Sequence, residues 1–432
     1  MHNKRTKWFE ELRFGMFIHW GLFSIPGRDA WFYSTAEYPK DEYESLFHRF
    51  NPVGYDAKEW ASICKAAGMK YAVLTAKHHE GFCLWDTNQT DYNIMNTSFK
   101  RDIVREWVDA FRAEGIRVGL YFSLIDWHHP HFIIDKYHPQ RAKKDELNKG
   151  RDFGIYVDFM EKQIEELLTQ YGKIDIFWPD FPLPEAYRAD GIIAKIRSWQ
   201  PGIIINNRFG RHGEFESDFA TPEQYIPEPG GLPAEAVNSN DSENGEGANG
   251  DSASKNVGCW ETCMTIGATW GYYRGETLYK TPRMVISQLV KCVSKNGNLL
   301  LNVGPNPRGY IPREFEEVLR EVGVWMKYNG ESIYGCGASK YKLDAELAAP
   351  IVQADITQRG NDVYLHFIDF CPPHPFYFDT GEDKIDYIEL LSDKSEIKFK
   401  TSRINDQEMY CIEMPIFQPD LYDTVVYIVL AK

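Results

Sequence analysis

Short apolar runs alternate with longer segments of helical periodicity from the start of the chain to about residue 335. The apolar runs are GMFIHWG, YAVLTAKHH, RVGLYFSLIDWHH, IDIFWPD, GIIINNR and NGNLLLNVGP. The helical segments include AKEWASICKAAG, RDIVREWVDAFRAEG and DFGIYVDFMEKQIEELLTQYG, and each of these ends at a glycine, as helices commonly do. This alternation predicts parallel strands that are joined by helical crossovers.

The strand-like runs are continuously apolar, which predicts that both of their faces are covered. No glycine-rich phosphate-binding fingerprint follows any run, so an open dinucleotide-binding sheet is disfavoured. We therefore predict an α/β fold in which a (β/α)8-like TIM barrel covers residues 1–337. In such a barrel the catalytic side chains follow the C-terminal ends of several strands, and polar clusters end these runs.

Beyond residue 337 the pattern changes to β-rich runs that are separated by turns, such as DVYLHFIDF, KIDYIELLSD and TVVYIVLAK. These runs predict a C-terminal antiparallel β-sandwich over residues 338–432. The segment 228–255 is rich in Gly, Asn, Ser and acidic residues and has almost no large apolar side chain. Because it cannot bury enough surface to fold by itself, we predict a flexible insertion there.

The chain has 432 residues and a formal net charge of −15, which disfavours nucleic acid and anionic membranes as partners. The N-terminal stretch MHNKRTKWFEELRFG has no apolar signal region, so we predict a cytoplasmic protein, with a trimmed export signal as the alternative. The eight cysteines are dispersed and complete no zinc motif, which favours free buried thiols and a reducing compartment. The sequence leaves homo-oligomerisation open.

Asp180 ends an apolar run close to Trp178, so its carboxylate is expected to be partly desolvated and to face a pocket. Such a carboxylate suits a nucleophile or a general base. Glycoside cleavage uses two carboxylates, and the second one protonates the leaving oxygen. The candidates for this second acid are Asp218, Glu223 and Glu261, and their spacing does not choose between them.

Histidines end two of the runs, with His19 after the first and His78 and His79 after the second. Three histidines can bind zinc, but the spacings of common zinc hydrolases are missing. We therefore expect no metal and no cofactor, and we predict that the histidines and Arg208 hydrogen-bond to substrate hydroxyls. Adjacent histidines on a strand point to opposite faces, which would leave one of the pair facing the pocket.

Seven motifs occur in order along the chain: LRFGMFIHWGLFSIPG, YAVLTAKHHEGFCLWDT, GLYFSLIDWHHP, IFWPDF, INNRFG, WETCMTIGATWGYY and GNLLLNVGPNPRGYIP. Together they resemble the α-L-fucosidases of glycoside hydrolase family 29. The resemblance implies a retaining exo-α-L-fucosidase that acts on terminal fucose of oligosaccharides or glycoconjugates, with Asp180 as the nucleophile. It implies substrate binding by His19, His78, His79, Tyr121, Trp178, Arg208 and Trp270, with Glu37 and Tyr38 as weaker candidates.

The acid/base that the resemblance implies is Glu223 in TPEQY, with Glu261 as the alternative. The chain departs from many members of the family at Asn207, where they have Asp, and at Phe181, where they have Gly after the nucleophile. These departures concern the leaving group more than the catalytic step. Three other functions stay open: a non-catalytic fucose-binding barrel protein, a related exo-glycosidase such as an α-L-galactosidase, and a metal-dependent barrel hydrolase.

Overall fold

The structure is a computed structural model, and it describes residues 5–183, 189–210, 217–228, 259–343, 354–370, 376–404 and 407–431. Within these ranges no helix is both long enough and apolar enough to cross a membrane. The insertion predicted at 228–255 lies outside the described residues, apart from Glu228.

Seven parallel strands form one sheet in the order β5-β4-β3-β2-β1-β7-β6. The strands are β1 Phe14–Ile18, β2 Tyr71–Lys77, β3 Arg117–Ser123, β4 Ile176–Asp180, β5 Ile204–Ile205, β6 Trp260–Thr265 and β7 Gly297–Val303. Met16 in β1 lies opposite Ala72 of β2 on one side and Leu301 of β7 on the other. Because all pairs are parallel, the C-terminal ends of the strands lie at the same edge of the sheet.

Residues 218–224 close this sheet into a barrel, because they pair with both of its outer strands. The amide of Asp218 donates a hydrogen bond to the carbonyl oxygen of Ile205 in β5 (2.8 Å). The amide of Glu261 in β6 donates to the carbonyl oxygen of Ala220 (2.9 Å). The segment thus occupies the eighth strand position, and the predicted (β/α)8-like barrel is confirmed.

The first helix precedes β1, and the other helices lie between or after the barrel strands along the chain. The helices are α1 Lys7–Leu12, α2 Phe32–Thr35, α3 Lys40–Glu44, α4 Ala57–Ala66, α5 Ile103–Ala113, α6 Lys144–Leu147, α7 Phe153–Thr169, α8 Ala189–Trp199, α9 Pro282–Ser294 and α10 Arg313–Asn329. Capping side chains in the sequence determine where several of these helices begin. The Asp56 carboxylate accepts hydrogen bonds from two amides in the first turn of α4, and Asp102 accepts one in α5. These caps satisfy amides that have no partner within the helix.

Both faces of the barrel strands are buried, and every residue of β2 and β7 is buried. The outer faces pack against the helices in one large hydrophobic core. The inner faces form a separate cluster that includes Phe9 of α1, Phe17, Tyr71, Val73, Tyr121, Ile176, Trp178, Ile204 and Leu300. Large side chains therefore fill the barrel and form a floor beneath the strand ends.

Two antiparallel sheets follow the barrel, one in the order β12-β15-β10-β9-β8 and the other in the order β11-β14-β13. Their strands are β8 Gly337–Ala338, β9 Asp355–Arg359, β10 Asp362–Phe367, β11 Phe376–Phe378, β12 Ile385–Leu390, β13 Phe399–Ile404, β14 Gln407–Ile412 and β15 Thr424–Leu430. Val363 and Ile388 of the first sheet share a core with Phe376 and Ile412 of the second. This is the predicted β-sandwich, whereas the domain boundary after residue 337 stays a prediction.

Buried polar contacts join the sandwich to the last barrel helix. The indole nitrogen of Trp325 in α10 donates to the carbonyl oxygen of Asp423 (3.1 Å). The Asp423 carboxylate lies 2.7 Å from Nδ1 of His366, and both side chains are fully buried. The Trp325 contact joins the helix to the sandwich, and the pair of His366 and Asp423 holds the accepting residue in place within the sandwich.

Candidate active site

The C-terminal ends of the barrel strands surround a cavity of about 250 Å³. Its lining residues are Phe17, His19, Trp31, His78, His79, Tyr121, Tyr137, Trp178, Asp180, Phe181, Arg208, Glu223, Gln224, Cys263 and Trp270. Nine of the residues singled out from the sequence are among them: His19, His78, His79, Tyr121, Trp178, Asp180, Arg208, Glu223 and Trp270. They come from separate parts of the chain, and the barrel brings them to one face.

Asp180 is the last residue of β4, and its carboxylate is held from two sides. The Tyr121 hydroxyl donates to one oxygen (2.7 Å), and the Arg208 guanidinium donates to the other (2.9 Å). Nε2 of His79 lies 3.9 Å from the oxygen that Tyr121 binds. Both donors fix the orientation of the carboxylate, as attack on an electrophilic carbon requires.

Arg208 joins the two acids of the cavity. Its Nη1 donates to Asp180, and its Nη2 donates to the Glu223 carboxylate (2.8 Å). Its Nε donates to the Thr221 hydroxyl (2.8 Å), and the guanidinium lies over the ring of Trp178 at 4.7 Å. Burial disfavours the charge of Arg208, but the carboxylates of Glu223 and Asp180 outweigh it and raise the pKa. The planar fork of arginine therefore fixes both carboxylates at once.

Strand register decides which of the two candidate acids faces the cavity. Glu223 lies on the segment 218–224 and forms a parallel bridge with Cys263 of β6. Glu261 precedes Cys263 by two residues in β6, which places Glu261 about 7 Å deeper in the barrel than Glu223. The Glu223 side chain lines the cavity and is 27% exposed, whereas Glu261 is fully buried and does not line the cavity.

Glu261 lies beneath the cavity and binds two aromatic side chains. One of its oxygens accepts from the Tyr71 hydroxyl (2.6 Å), and the other accepts from the indole nitrogen of Trp178 (3.1 Å). Desolvation raises its pKa to about 7, although both hydrogen bonds act in the opposite direction. The contact with Trp178 places Glu261 in a position to orient an aromatic ring of the cavity floor.

Asn302 fixes the tautomer of His19. The side-chain nitrogen of Asn302 donates to the carbonyl oxygen of Trp270 (2.7 Å), so its side-chain oxygen faces Nδ1 of His19 (2.6 Å). Nδ1 must then carry the proton, and Nε2 is left as an acceptor. Burial, followed by the charge of His78, lowers the pKa of His19 well below its usual value, so the ring is neutral.

His79 is fixed in the same way by Ser123. The Ser123 hydroxyl donates to the carbonyl oxygen of Ile125 (2.7 Å) and so accepts from Nδ1 of His79 (2.7 Å). Burial, followed by the electrostatic cost of a second protonated imidazole beside His78 and His19, lowers the pKa of His79 well below its usual value. Two neutral rings thus direct acceptor nitrogens away from their anchors, and hydroxyl groups are suitable donors for them.

His78 and His79 both line the cavity, which differs from the expectation for adjacent residues on a strand. The reason is that β2 ends at Lys77, so strand alternation does not extend to the pair. The His78 ring stacks on Tyr121 with an angle of 17° between the ring planes. Across the described ranges, no cluster of three or more His, Cys, Asp or Glu side chains is arranged to hold a metal ion.

Lys77, which precedes the two histidines, does not line the cavity. Its ammonium group donates to Asp126 (3.1 Å) and to Gln163 (3.1 Å), and it lies 4.3 Å from the ring centre of Phe122. The side chains of Lys77 and Asp126 are 0% and 2% exposed. Lys77 therefore belongs to a buried ion pair on the outer side of the strand and does not form part of a hydroxyl-binding wall.

Glu37 and Tyr38 also lie outside the cavity. The Glu37 carboxylate accepts from Arg141 (3.0 Å) and is about half exposed, and Tyr38 packs against Phe32 with ring centres 5.2 Å apart. A nearby aromatic residue, Trp31, lines the cavity instead. Trp31 lies in the loop between β1 and α2, where no periodic pattern in the sequence indicates which way a side chain points.

Further lining residues that the sequence did not single out for binding are Tyr137, Gln224, Phe17 and Cys263. Tyr137 comes from a long loop after β3, and Gln224 directly follows Glu223. Phe17 lies inside β1, and an aromatic residue within an apolar run is interpreted from the sequence as part of the hydrophobic core. The one feature of the sequence that could have indicated cavity-lining residues is a position directly after a candidate acid. This feature applies to Gln224 and Phe181.

One side of the cavity is apolar. The Trp270 ring lies 5.0 Å from the His19 ring and 6.2 Å from the Phe17 ring, measured between centres. The carboxylates and the arginine line the same cavity. A barrel pocket with two carboxylates on one guanidinium, neutral histidines and aromatic walls has the features of a glycoside hydrolase site.

Comparisons with known proteins agree with this class. The family model described as alpha-L-fucosidase matches residues 1–331. The plasma alpha-L-fucosidase of Homo sapiens is 34% identical over 361 residues, which are 76% of this chain and 68% of that protein. The tissue alpha-L-fucosidase of Rattus norvegicus is 30% identical over 394 residues, which are 84% of this chain and 76% of that protein.

Solved structures give the same result over the full length. Alpha-L-fucosidase isoenzyme 1 from Paenibacillus thiaminolyticus superposes with a TM-score of 0.87 at 42% identity, and 99% of both chains is covered. A family 29 alpha-L-fucosidase from Bacteroides thetaiotaomicron, trapped as a covalent intermediate, superposes with a TM-score of 0.80 at 28% identity, covering 100% of this chain and 97% of that one. The chain belongs to the α-L-fucosidase family of glycoside hydrolases, as the sequence motifs predicted.

Proposed function

We propose that this chain is a retaining exo-α-L-fucosidase in which Asp180 is the nucleophile and Glu223 is the acid/base. The observation that carries the assignment is that one guanidinium, that of Arg208, binds both carboxylates at the wall of the same cavity. Glu261, the other candidate, is buried beneath that cavity.

In the first step an oxygen of Asp180 attacks the anomeric carbon, and the bond from that carbon to the leaving oxygen breaks. The electron pair of the broken bond stays on the leaving oxygen, which takes a proton from the Glu223 carboxylic acid. The product of this step is a fucosyl ester of Asp180. Tyr121 and Arg208 hold the attacking carboxylate, so little reorientation is needed at the moment of reaction.

In the second step Glu223 takes a proton from water, and the water oxygen displaces Asp180 from the anomeric carbon. Formation of the ester removes the negative charge of Asp180. Arg208 still binds Glu223 and so holds the base in position for the incoming water. Two displacements at one carbon retain its configuration.

Neutral His19 and His79, together with His78, are proposed to bind the sugar hydroxyls, with Nε2 of the first two as acceptors. Trp270 and Phe17 supply the apolar wall that the methyl group of fucose requires. A cavity of about 250 Å³ lies below the roughly 300–1,000 Å³ typical of drug-sized ligands and fits one monosaccharide. This size supports removal of a single terminal sugar from a fucosylated oligosaccharide or glycoconjugate.

The test is hydrolysis of 4-nitrophenyl α-L-fucoside by the wild type and by Asp180→Ala, Glu223→Ala and Glu261→Ala, each with and without azide. Rescue of Asp180→Ala as the inverted β-fucosyl azide, and of Glu223→Ala as the α-fucosyl azide, supports both roles. Rescue of Glu261→Ala in place of Glu223→Ala assigns the acid/base to Glu261. A wild type that binds fucose but cleaves neither this substrate nor natural fucosides refutes the enzyme assignment.

We propose a cytoplasmic location and the division into a barrel of residues 1–337 and a sandwich of residues 338–432. The seven cysteines in the described part of the chain are free and buried, which supports a reducing compartment. The first strand of the antiparallel sheets begins at Gly337, which supports the division. Limited proteolysis near this residue, followed by a test of whether the sandwich stays bound, checks the second proposal.

A further inference from the structure

The residue that follows each of the two cavity carboxylates has a left-handed backbone. Phe181, after Asp180, has a φ of 69°, and Gln224, after Glu223, has a φ of 61°. Side chains with a Cβ rarely adopt this conformation, which is the usual place for glycine. Strained backbone of this kind persists where the surrounding structure holds it, and it is concentrated at functional sites.

At Phe181 the conformation changes the direction of the side chain. In a strand, successive side chains point to opposite faces, so a continued β4 would direct Asp180 into the cavity and Phe181 away from it. The left-handed residue ends the strand, and both side chains line the cavity. Two residues further on, the amide of Leu183 donates to the carbonyl oxygen of Phe209 (3.2 Å), which anchors the turn.

Other aromatic rings hold the Phe181 ring in this position. Its centre lies 5.0 Å from that of His79, 5.3 Å from that of Tyr137 and 5.9 Å from that of Trp31. All four rings line the cavity. The group formed by Phe181, Tyr137 and Trp31 is separate from the apolar side around Trp270, which contacts His19 and Phe17.

We propose that Phe181 and Tyr137 bind the leaving group, as an aromatic wall that contacts the C–H face of the sugar next to the fucose. This inference rests on the proposed function, because it takes Asp180 as the nucleophile. Tyr137 is partly exposed, whereas the cavity histidines are buried, so this wall lies nearer the mouth of the cavity, towards which the sugar next to the fucose projects. The wall around Trp270 serves the fucosyl group itself.

A pyranose sugar suits this surface because one of its faces consists of C–H bonds, which make van der Waals contact with a flat ring. Phe181 has no polar atom, so its contribution depends on shape and apolar area. The wall is therefore expected to select among the sugars and linkages that present such a face to it. It is not expected to affect a leaving group that has no ring.

The experiment compares α-L-fucosyl fluoride, whose leaving group is one atom, with fucosyl disaccharides. The disaccharides are α-1,2-linked to galactose and α-1,3-, α-1,4- and α-1,6-linked to N-acetylglucosamine, and the one that the wild type cleaves fastest is used. Phe181→Gly should lower kcat/KM for the disaccharide by about tenfold or more. For the fluoride, kcat/KM should stay within about twofold of the wild-type value.

Tyr137→Ala is the second variant, since it removes a ring of the wall without changing a left-handed residue. It should show the same selective loss even if Phe181→Gly does not fold. Lys100→Gly is the matched control, because Lys100 is exposed, lies outside the cavity and has a φ of 53°. It should leave both substrates unaffected.

An equal loss with both substrates overturns the proposal, because Phe181 would then contact the fucosyl group or position Asp180. Unchanged disaccharide hydrolysis in both variants overturns it too, as does a wild type that cleaves the fluoride but none of the disaccharides. A wild type that cleaves no fucoside at all refutes the proposed function, so the two failures are distinguishable.

Discussion

Arg208 donates hydrogen bonds to Asp180 at 2.9 Å and to Glu223 at 2.8 Å from two different nitrogens of one guanidinium. The two acids come from different elements, β4 and the segment 218–224, and the arginine follows β5 between them. A single rigid guanidinium thus sets the geometry of the carboxylate pair. It is itself held by the hydroxyl of Thr221, by the carbonyl oxygen of Thr221 and by the ring of Trp178.

Arg208→Lys should lower kcat/KM for fucosides by about 10²- to 10³-fold, because lysine keeps the charge but cannot bind both carboxylates in fixed directions. Steady-state kinetics with 4-nitrophenyl α-L-fucoside measure this loss. Arg197→Lys is the control, since Arg197 binds Asp218 (2.9 Å) outside the cavity. This substitution should lower thermal stability without changing turnover. An Arg208→Lys enzyme within tenfold of the wild type would contradict the role.

Glu223→Gln and Glu261→Gln should separate the two candidate acids. An amide cannot donate the proton that a sugar leaving group requires, so Glu223→Gln should lower kcat for a fucosyl disaccharide by about 10²- to 10⁴-fold. At Glu261 an amide can still accept from Trp178 and donate towards Tyr71. We expect Glu261→Gln to stay within about tenfold of the wild type. The reverse order of the two losses would assign the acid/base to Glu261.

Glu261 should also give the free energy of unfolding a pH dependence. Burial raises its pKa from the usual 4.5 to about 7, so between these values the folded state binds more protons than the unfolded state. Its contribution is fully present below pH 4.5 and is lost as the pH rises through about 7, with a magnitude on the order of 3 kcal/mol. Urea unfolding across this range should show a flatter profile for Glu261→Gln than for the wild type.

Asn302→Ala should loosen the His19 ring, because it removes the acceptor that holds the proton on Nδ1 (2.6 Å). We expect kcat/KM to fall by about tenfold, with a larger effect on KM than on kcat, since His19 is proposed to bind a hydroxyl. The ¹⁵N shifts of the His19 ring should change from one tautomer to a mixture. If the ring keeps one tautomer, its orientation has another cause.

Lys77→Met should destabilise the fold by about 3–5 kcal/mol, because it leaves the Asp126 carboxylate buried without its cation. The double variant Lys77→Met/Asp126→Asn should recover part of this loss, since neither side chain then carries a charge and the amide oxygen can still accept from the backbone amides of His128 and His129. Urea unfolding measures the three free energies. Below the unfolding temperature, fucoside hydrolysis by Lys77→Met should match the wild type, because Lys77 lies outside the cavity. A selective loss of activity would indicate that Lys77 contributes to substrate binding.

Much of the barrel could be predicted because its strands are short and apolar throughout and its helices have regular periodicity. Strand β6, Trp260–Thr265, was absent from the list of strand-like runs because it carries a buried glutamate and two threonines. The closing segment 218–224 was missed for a similar reason, since isolated bridges rather than a continuous ladder form its pairing. Neither element has a hydrophobic pattern of its own.

The sequence by itself determined which residues end the strands, and therefore that Asp180, Arg208 and the histidines meet at one face of a barrel. The tertiary structure alone decided which of Glu223 and Glu261 lies at the cavity. Both acids flank apolar residues in the sequence, but the register between the segment 218–224 and β6 places one at the cavity and the other beneath it. Depth in a barrel depends on pairing between distant segments, and no local pattern encodes that pairing.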